Sequence, residues 1–257
     1  MRKLVLLLVL ALVAWGAMFT SAFAETEGLL GNAGITASGD VAFYSEYLWR
    51  GFLLDGDPVV QPGFYLSGPD SKYGKLTAKF WSSHDLSNSD PRNSSEEYDY
   101  ILDYTYNLAD TSLSFGHTYY DYPAADTFSK EFYVGITLPK VFLTPSVFYY
   151  RDYGSQEDGG GMGSYTVVNL AKSLPFEIKG TPASLELAGH YGYNYELFIN
   201  GKGGDIGLSA GLKLQLTKNL TCMPNINYSL PLGDLEKTSD GNQEARVYTG
   251  AVFSYSF

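Results

Sequence analysis

Apolar and polar residues alternate along most of this chain. In DIGLSAGLKLQL (205–216), Ile206, Leu208, Ala210, Leu212, Leu214 and Leu216 are separated by Gly207, Ser209, Gly211, Lys213 and Gln215. Six apolar positions at period two cannot form one face of a helix. The same pattern sets Tyr98, Tyr100, Leu102, Tyr104 and Tyr106 against Asp99, Ile101, Asp103 and Thr105, and Phe132, Val134, Ile136 and Leu138 against Glu131, Tyr133, Gly135 and Thr137. Leu185, Leu187, Gly189, Tyr191 and Tyr193 likewise oppose Ser184, Glu186, Ala188, His190 and Gly192. Read through, the alternation predicts about twelve strands, near 36–47, 58–67, 74–84, 96–107, 111–121, 127–138, 143–152, 163–173, 182–194, 205–216, 219–229 and 244–257. Each approaches or exceeds the ~9–11 residues that a tilted strand needs to cross a bilayer.

The connections alternate too. YLWRGFLLDGDP, HDLSNSDPRNSSEE, DYPAADT, DYGSQEDGGGMG, NYELFINGKGG and LPLGDLEKTSDGNQEA are mostly long, acidic and rich in Gly, Asn and Ser. Between them fall SGPDSKYG, NLAD, PKVF, SLPFEIKGTP and TKN, mostly short. Long loops at one end and short turns at the other predict an all-β fold, a transmembrane antiparallel up-and-down β-barrel of about twelve strands. Closure of the sheet is what lipid demands, since no water there can satisfy a free strand edge. The competing reading is a β-sandwich whose apolar faces meet a second sheet. In the closing ARVYTGAVFSYSF, Val247, Thr249, Ala251, Phe253, Tyr255 and Phe257 share one face. A barrel turns that face to hydrocarbon, and Phe253, Tyr255 and Phe257 then look like the terminal signal read by the outer-membrane barrel-assembly machinery.

The other terminus supplies a compartment. Arg2 and Lys3 precede an apolar stretch from Leu4 to about Met18, followed by Ala22-Phe23-Ala24. This predicts a cleaved secretory signal over 1–24 and a single barrel domain over 25–257, hence export to a bacterial outer membrane. Without Arg2 and Lys3, 15 of the 17 cations face 28 carboxylates. That balance argues against nucleic acid, which needs clustered Lys and Arg. Cys222 is the only cysteine, so no intramolecular disulfide is available, and no Cys/His spacing reads as a zinc site. No cofactor is expected. Tyrosines near strand ends, such as Tyr119, Tyr149 and Tyr193, are expected in aromatic girdles at the lipid interface.

Past the leader, SEYLWRGFLLDGDPVVQPGFYLS (45–67) resembles the start of the TorF-type porin family of outer-membrane barrels. Ser45, Tyr47, Trp49, Arg50 and Gly51 fit its first motif, and Asp55, Pro58, Gln61, Gly63 and Tyr65 its second. EEYDYILDYTYNLADTSLSFGHTYYDYP (96–123) is similar to its central hairpin, and the last strand also fits. Glu46, where aspartate is usual, and the insert SLPFEIKGTP depart from the pattern. The resemblance implies passive transport of small hydrophilic solutes or ions, among outer-membrane lipid and lipopolysaccharide.

Selectivity in a narrow barrel depends on inward charge. Parity places Asp40, Glu46, Asp99, Asp103, Glu131 and Glu186 inward, with Lys79, Lys213 and Arg246; six acids against three bases predict a cation-preferring lumen. Paired charges bracing a closed barrel would give the same inventory. Trp49 and Arg50 stand at the top of the first strand. Arg50 either turns inward as a constriction or, in the favoured reading, lies beside lipopolysaccharide phosphates with Trp49 in the outer girdle. Asp55 and Asp57 form a lone D-x-D, short of the six to eight oxygens that calcium takes. His117 and His190 lack a serine two residues on, and no nucleophile–base arrangement is evident, so no enzyme is expected. The rival to a channel is a non-conducting structural, adhesion or receptor barrel acting through its acidic loops.

Overall fold

The computed structural model describes residues 31, 33–87, 96–237 and 243–257. The expected leader over 1–24 lies outside these. Among the described residues fourteen strands form, and twelve of them close one antiparallel barrel. The wall consists of β1 (Thr36–Tyr44), β4 (Val59–Ser67), β5 (Lys75–Asp85), β6 (Glu97–Leu108), β7 (Thr111–Tyr122), β8 (Thr127–Thr137), β9 (Ser146–Asp152), β10 (Ser164–Ile178), β11 (Thr181–Tyr195), β12 (Lys202–Gln215), β13 (Leu220–Gly233) and β14 (Arg246–Ser256). Neighbours in sequence are neighbours in the wall, and β1 closes it by pairing with both β4 and β14. The two remaining strands, β2 (Tyr47–Trp49) and β3 (Phe52–Asp55), pair only with each other.

Alternation decides the faces. Leu102, Ile136, Leu208 and Ile226 point outward and are 50–54% exposed, with none of the described residues stacked over them. A water-soluble sandwich would have covered this much apolar surface, so the sandwich reading fails on geometry. Inward positions carry Asp99, Asp103, Thr118, Glu131 and Asp205, all buried. Glycines on this face make room for large neighbours: a Cβ on Gly116 would lie 2.1 Å from the Tyr133 ring, and one on Gly250 2.3 Å from that of Tyr44. The alternation of Gly with Tyr therefore fills part of the bore with rings, and the lumen is aromatic as well as acidic. Tyr119, Tyr149 and Tyr193 do face outward, by the parity of their strands, while Tyr120, Tyr133 and Tyr165 are buried inside.

Two expectations change. SLPFEIKGTP is not a long connection, because β10 and β11 run on through it and meet at Lys179-Gly180. Both residues have positive φ, 52° and 83°, the two-residue geometry that matches the twist of a hairpin. Pro175 is tolerated because β9 ends opposite Asn169, leaving that stretch of β10 paired only to β11. The second change is at 45–58, where the expected loop contains the β2–β3 hairpin.

Candidate pore constriction

β1 ends at Tyr44, and the chain leaves the wall through the bend at Ser45-Glu46. The hairpin turns on Arg50 and Gly51, with φ of 50° and 82°. Positive φ is cheap for Gly51 and costs about 1 kcal/mol or more for Arg50, so tertiary contacts must hold the turn. They do. Arg50 Nη1 and Nη2 donate to Glu131 Oε2 and Oε1 at 2.6 and 2.8 Å, a bidentate pair reaching from the hairpin to β8. Tyr120 donates to Glu131 Oε1 at 2.9 Å. The guanidinium carbon lies 4.4 Å from the ring centroids of Trp49 and Tyr150 and 4.7 Å from that of Tyr165. Burial is the largest single influence and works against the charge, but the attraction and hydrogen bonds of Glu131, with Tyr120 and Tyr150, together lift the Arg50 pKa above its ordinary value; the cation is permanent. A Cβ on Gly51 would meet Leu235 at 2.6 Å and Asp205 at 2.8 Å, so only glycine lets the tip sit this close to β12.

The favoured reading of Trp49 and Arg50 is thus corrected. Trp49 is not in the outer girdle: its indole packs on Phe52, Tyr120 and Phe198. Arg50 does not face solvent phosphates, because its side chain is 9% exposed and its partner Glu131 1%. The rest of the hairpin is tied down as well. Tyr47 donates to Glu97 at 2.9 Å, and the Leu53 amide donates to Gln243 Oε1 at 2.8 Å. Neighbouring loops pack over the same end. Asp152 accepts from Ser129, Gly154 and Met162, and Asn194 brackets Leu197, which is fully buried.

Two cavities flank the tip. One of about 600 Å³ is lined by Trp49, Lys79, Trp81, Asp99, Asp103 and Tyr133, among others. The other, of about 250 Å³, includes Arg50, His190, Asp205, Ser209, Asn227 and Tyr248. There Asp205 accepts from Tyr165 at 2.8 Å and lies 2.6 Å from His190 Nε2.

The family model for a bacterial protein of unknown function (Gcw_chp) matches residues 30–219, a span that includes the hairpin and β1–β12. The chain belongs to that family. Among solved structures it is similar to the KdgM porin, at 11% identity and a TM-score of 0.50, with 86% of this chain and 99% of that one covered. It is also similar to the NanC porin, at 10% identity and a TM-score of 0.51, with 85% and 100% covered. At these identities the likeness is one of fold. Comparison with curated protein sequences gives no match.

The remaining residues singled out by parity spread along the bore. Asp40 accepts from Tyr65 at 2.9 Å. Lys79 lies 3.8 Å from Asp103, which also accepts from Tyr133. Glu186 accepts from Ser173 at 2.7 Å and from Ser184 at 2.5 Å, and Lys213 is exposed on the same face of β12 as Asp205. Glu46 is corrected in position: it belongs to the bend beyond β1, not to a wall strand, and pairs with Arg246 at 3.2 Å. Phe253 and Phe257 lie outward against Phe43 and Phe64, and Tyr255 packs on Phe257. Asp55 and Asp57 approach Asp85, their carboxylate oxygens within 4.8 Å of one another, well short of a calcium shell.

Parity alone missed Glu97, Asp152 and Asp205, all buried and all on the inward face. Each stands at or near a strand end, where the alternation fades into a loop. Asp205 had a signal, since it shares parity with Gly207 and Lys213.

Proposed function

We propose that this protein is a passive channel of the bacterial outer membrane, narrowed by its own first connection and biased toward cations. One observation carries the reading: a closed barrel is apolar outside and polar inside, with carboxylates on its inner face from Asp40 to Asp205. Twelve strands lie between the eight that side chains can fill and the sixteen that leave a wide aqueous bore, so a short inserted hairpin is enough to set the constriction. The named porins among the structural neighbours and the TorF-type resemblance support the same reading. In this account small hydrophilic solutes pass the two cavities beside the tip, and inward acids raise the local cation concentration. The leader exports the chain, and Phe253, Tyr255 and Phe257 present the terminal strand to the assembly machinery.

The Arg50–Glu131 latch also favours a second reading, a barrel that conducts nothing and acts through its loops. Proteoliposome swelling separates the two. A channel admits amino-acid-sized solutes, faster for monovalent organic cations than for anions of equal size. Swelling no faster than that of empty vesicles contradicts the channel.

A further inference from the structure

The cavity of about 600 Å³ beside Trp49 holds three carboxylates and a ring-lined wall. Two of the carboxylates are already matched. Glu131 is held by Arg50 and Tyr120, while Asp103 has Lys79, Tyr133 and, at 3.1 Å, the Thr105 hydroxyl. Asp99 differs. It is only 8% exposed, its Oδ1 is buried with no donor assigned to it, and the side chain against it is a second carboxyl, that of Glu97. Buried carboxylate oxygens are costly when nothing donates to them, and the nearest inward acid on the same strand, Glu97, adds negative charge to this wall. The same cavity is lined by Trp49, Trp81, Tyr133, Phe148 and Tyr150; Trp49 and Tyr150 already face Arg50, which leaves the rings of Trp81, Tyr133 and Phe148 to attract a cation that has shed water.

We infer that this cavity is a binding site for a small organic monocation of the alkylammonium class, with Asp99 as its counter-ion and the flanking rings as its walls. The inference rests on the channel reading and names the solute class that such a channel would favour. The protein supplies its own precedent beside the site, where the Arg50 guanidinium is stacked among three rings and paired with one carboxylate. An anion is opposed by Asp99. A divalent metal ion needs a shell of oxygens, whereas the Glu131 and Asp103 oxygens here are already engaged and rings make up much of the wall. An alkylammonium matches both a carboxyl whose Oδ1 has no assigned donor and the aromatic surface.

The sequence makes the test convenient. Its tryptophans are Trp15, Trp49 and Trp81; with the leader removed, both remaining indoles line this cavity. Protein purified from outer membranes would be titrated in detergent with choline and, in parallel, with 3,3-dimethylbutan-1-ol, which has the same shape and no charge. The expected result is a saturable change in tryptophan emission with choline, and at least a tenfold weaker response to the alcohol. Asp99→Asn should weaken choline binding about tenfold, the loss of one charged contact, while Asp110→Asn, in an exposed turn, leaves it unchanged. Equal responses to choline and the alcohol, or none from folded wild-type protein, overturn the site. Single-channel recording on the same preparation keeps the two ideas apart. Current without a choline response removes the site and leaves the channel; a choline response without current does the reverse.

Discussion

Arg50 is the residue on which the proposed constriction turns. It is buried, carries a fixed charge and sits at a positive φ, so its conformation depends on Glu131, which lies 81 residues further along the chain. Arg50→Ala would leave the Glu131 carboxylate buried and unmatched, at a cost of about 3–5 kcal/mol. Urea unfolding of the refolded barrel should show that loss, with Glu131→Gln added to Arg50→Ala restoring a large part of it. Equal stabilities for the single and double variants would mean that the pair is not coupled. The packing of rings against glycines gives a second expectation. Gly116→Ala places a methyl group inside the Tyr133 ring, which Asp103 holds in place, and should lower stability by about 1–3 kcal/mol in the same assay. Sequence reading placed Asp99, Asp103 and Glu131 on the inward face because a strand with one apolar face assigns every side chain in it. It missed the placement of Arg50 because a loop has no period, and what draws the hairpin inward is a set of partners distant in sequence.

At the scale of elements, the twelve wall strands were legible nearly end to end, and the errors fell where two local signals compete. Pro175 and Lys179-Gly180 suggested a loop, yet the second pair is a hairpin turn and the first sits where β9 no longer needs its amide. The hairpin β2–β3 was hidden for the opposite reason: seven strand residues broken by Arg50-Gly51 are too few to outweigh the acidic, glycine-bearing segment around them. Replacing residues 46–55 by a short Gly/Ser link should raise single-channel conductance several-fold while leaving the barrel heat-modifiable. Unchanged conductance would place the narrowest point elsewhere. The outer wall carries its own expectation. Leu208 lies midway along β12 and faces outward, so Leu208→Arg should cost about 2–4 kcal/mol in lipid. A cost near zero would mean that this face does not meet hydrocarbon.

For the molecule as a whole, one periodicity explains why it has no edge, why apolar side chains cover its outside and why charge collects within. The inward acids found by parity, joined by Glu97, Asp152 and Asp205, outnumber the inward bases even after Arg50–Glu131 and Lys79–Asp103 are paired. That imbalance, more than any single residue, is the basis of the functional reading. It is tested most directly by planar-bilayer recording of the purified protein under a KCl gradient. The account predicts discrete current steps whose reversal potential is displaced toward that of potassium. A folded barrel that passes no current, or one whose reversal potential lies toward chloride, would contradict it.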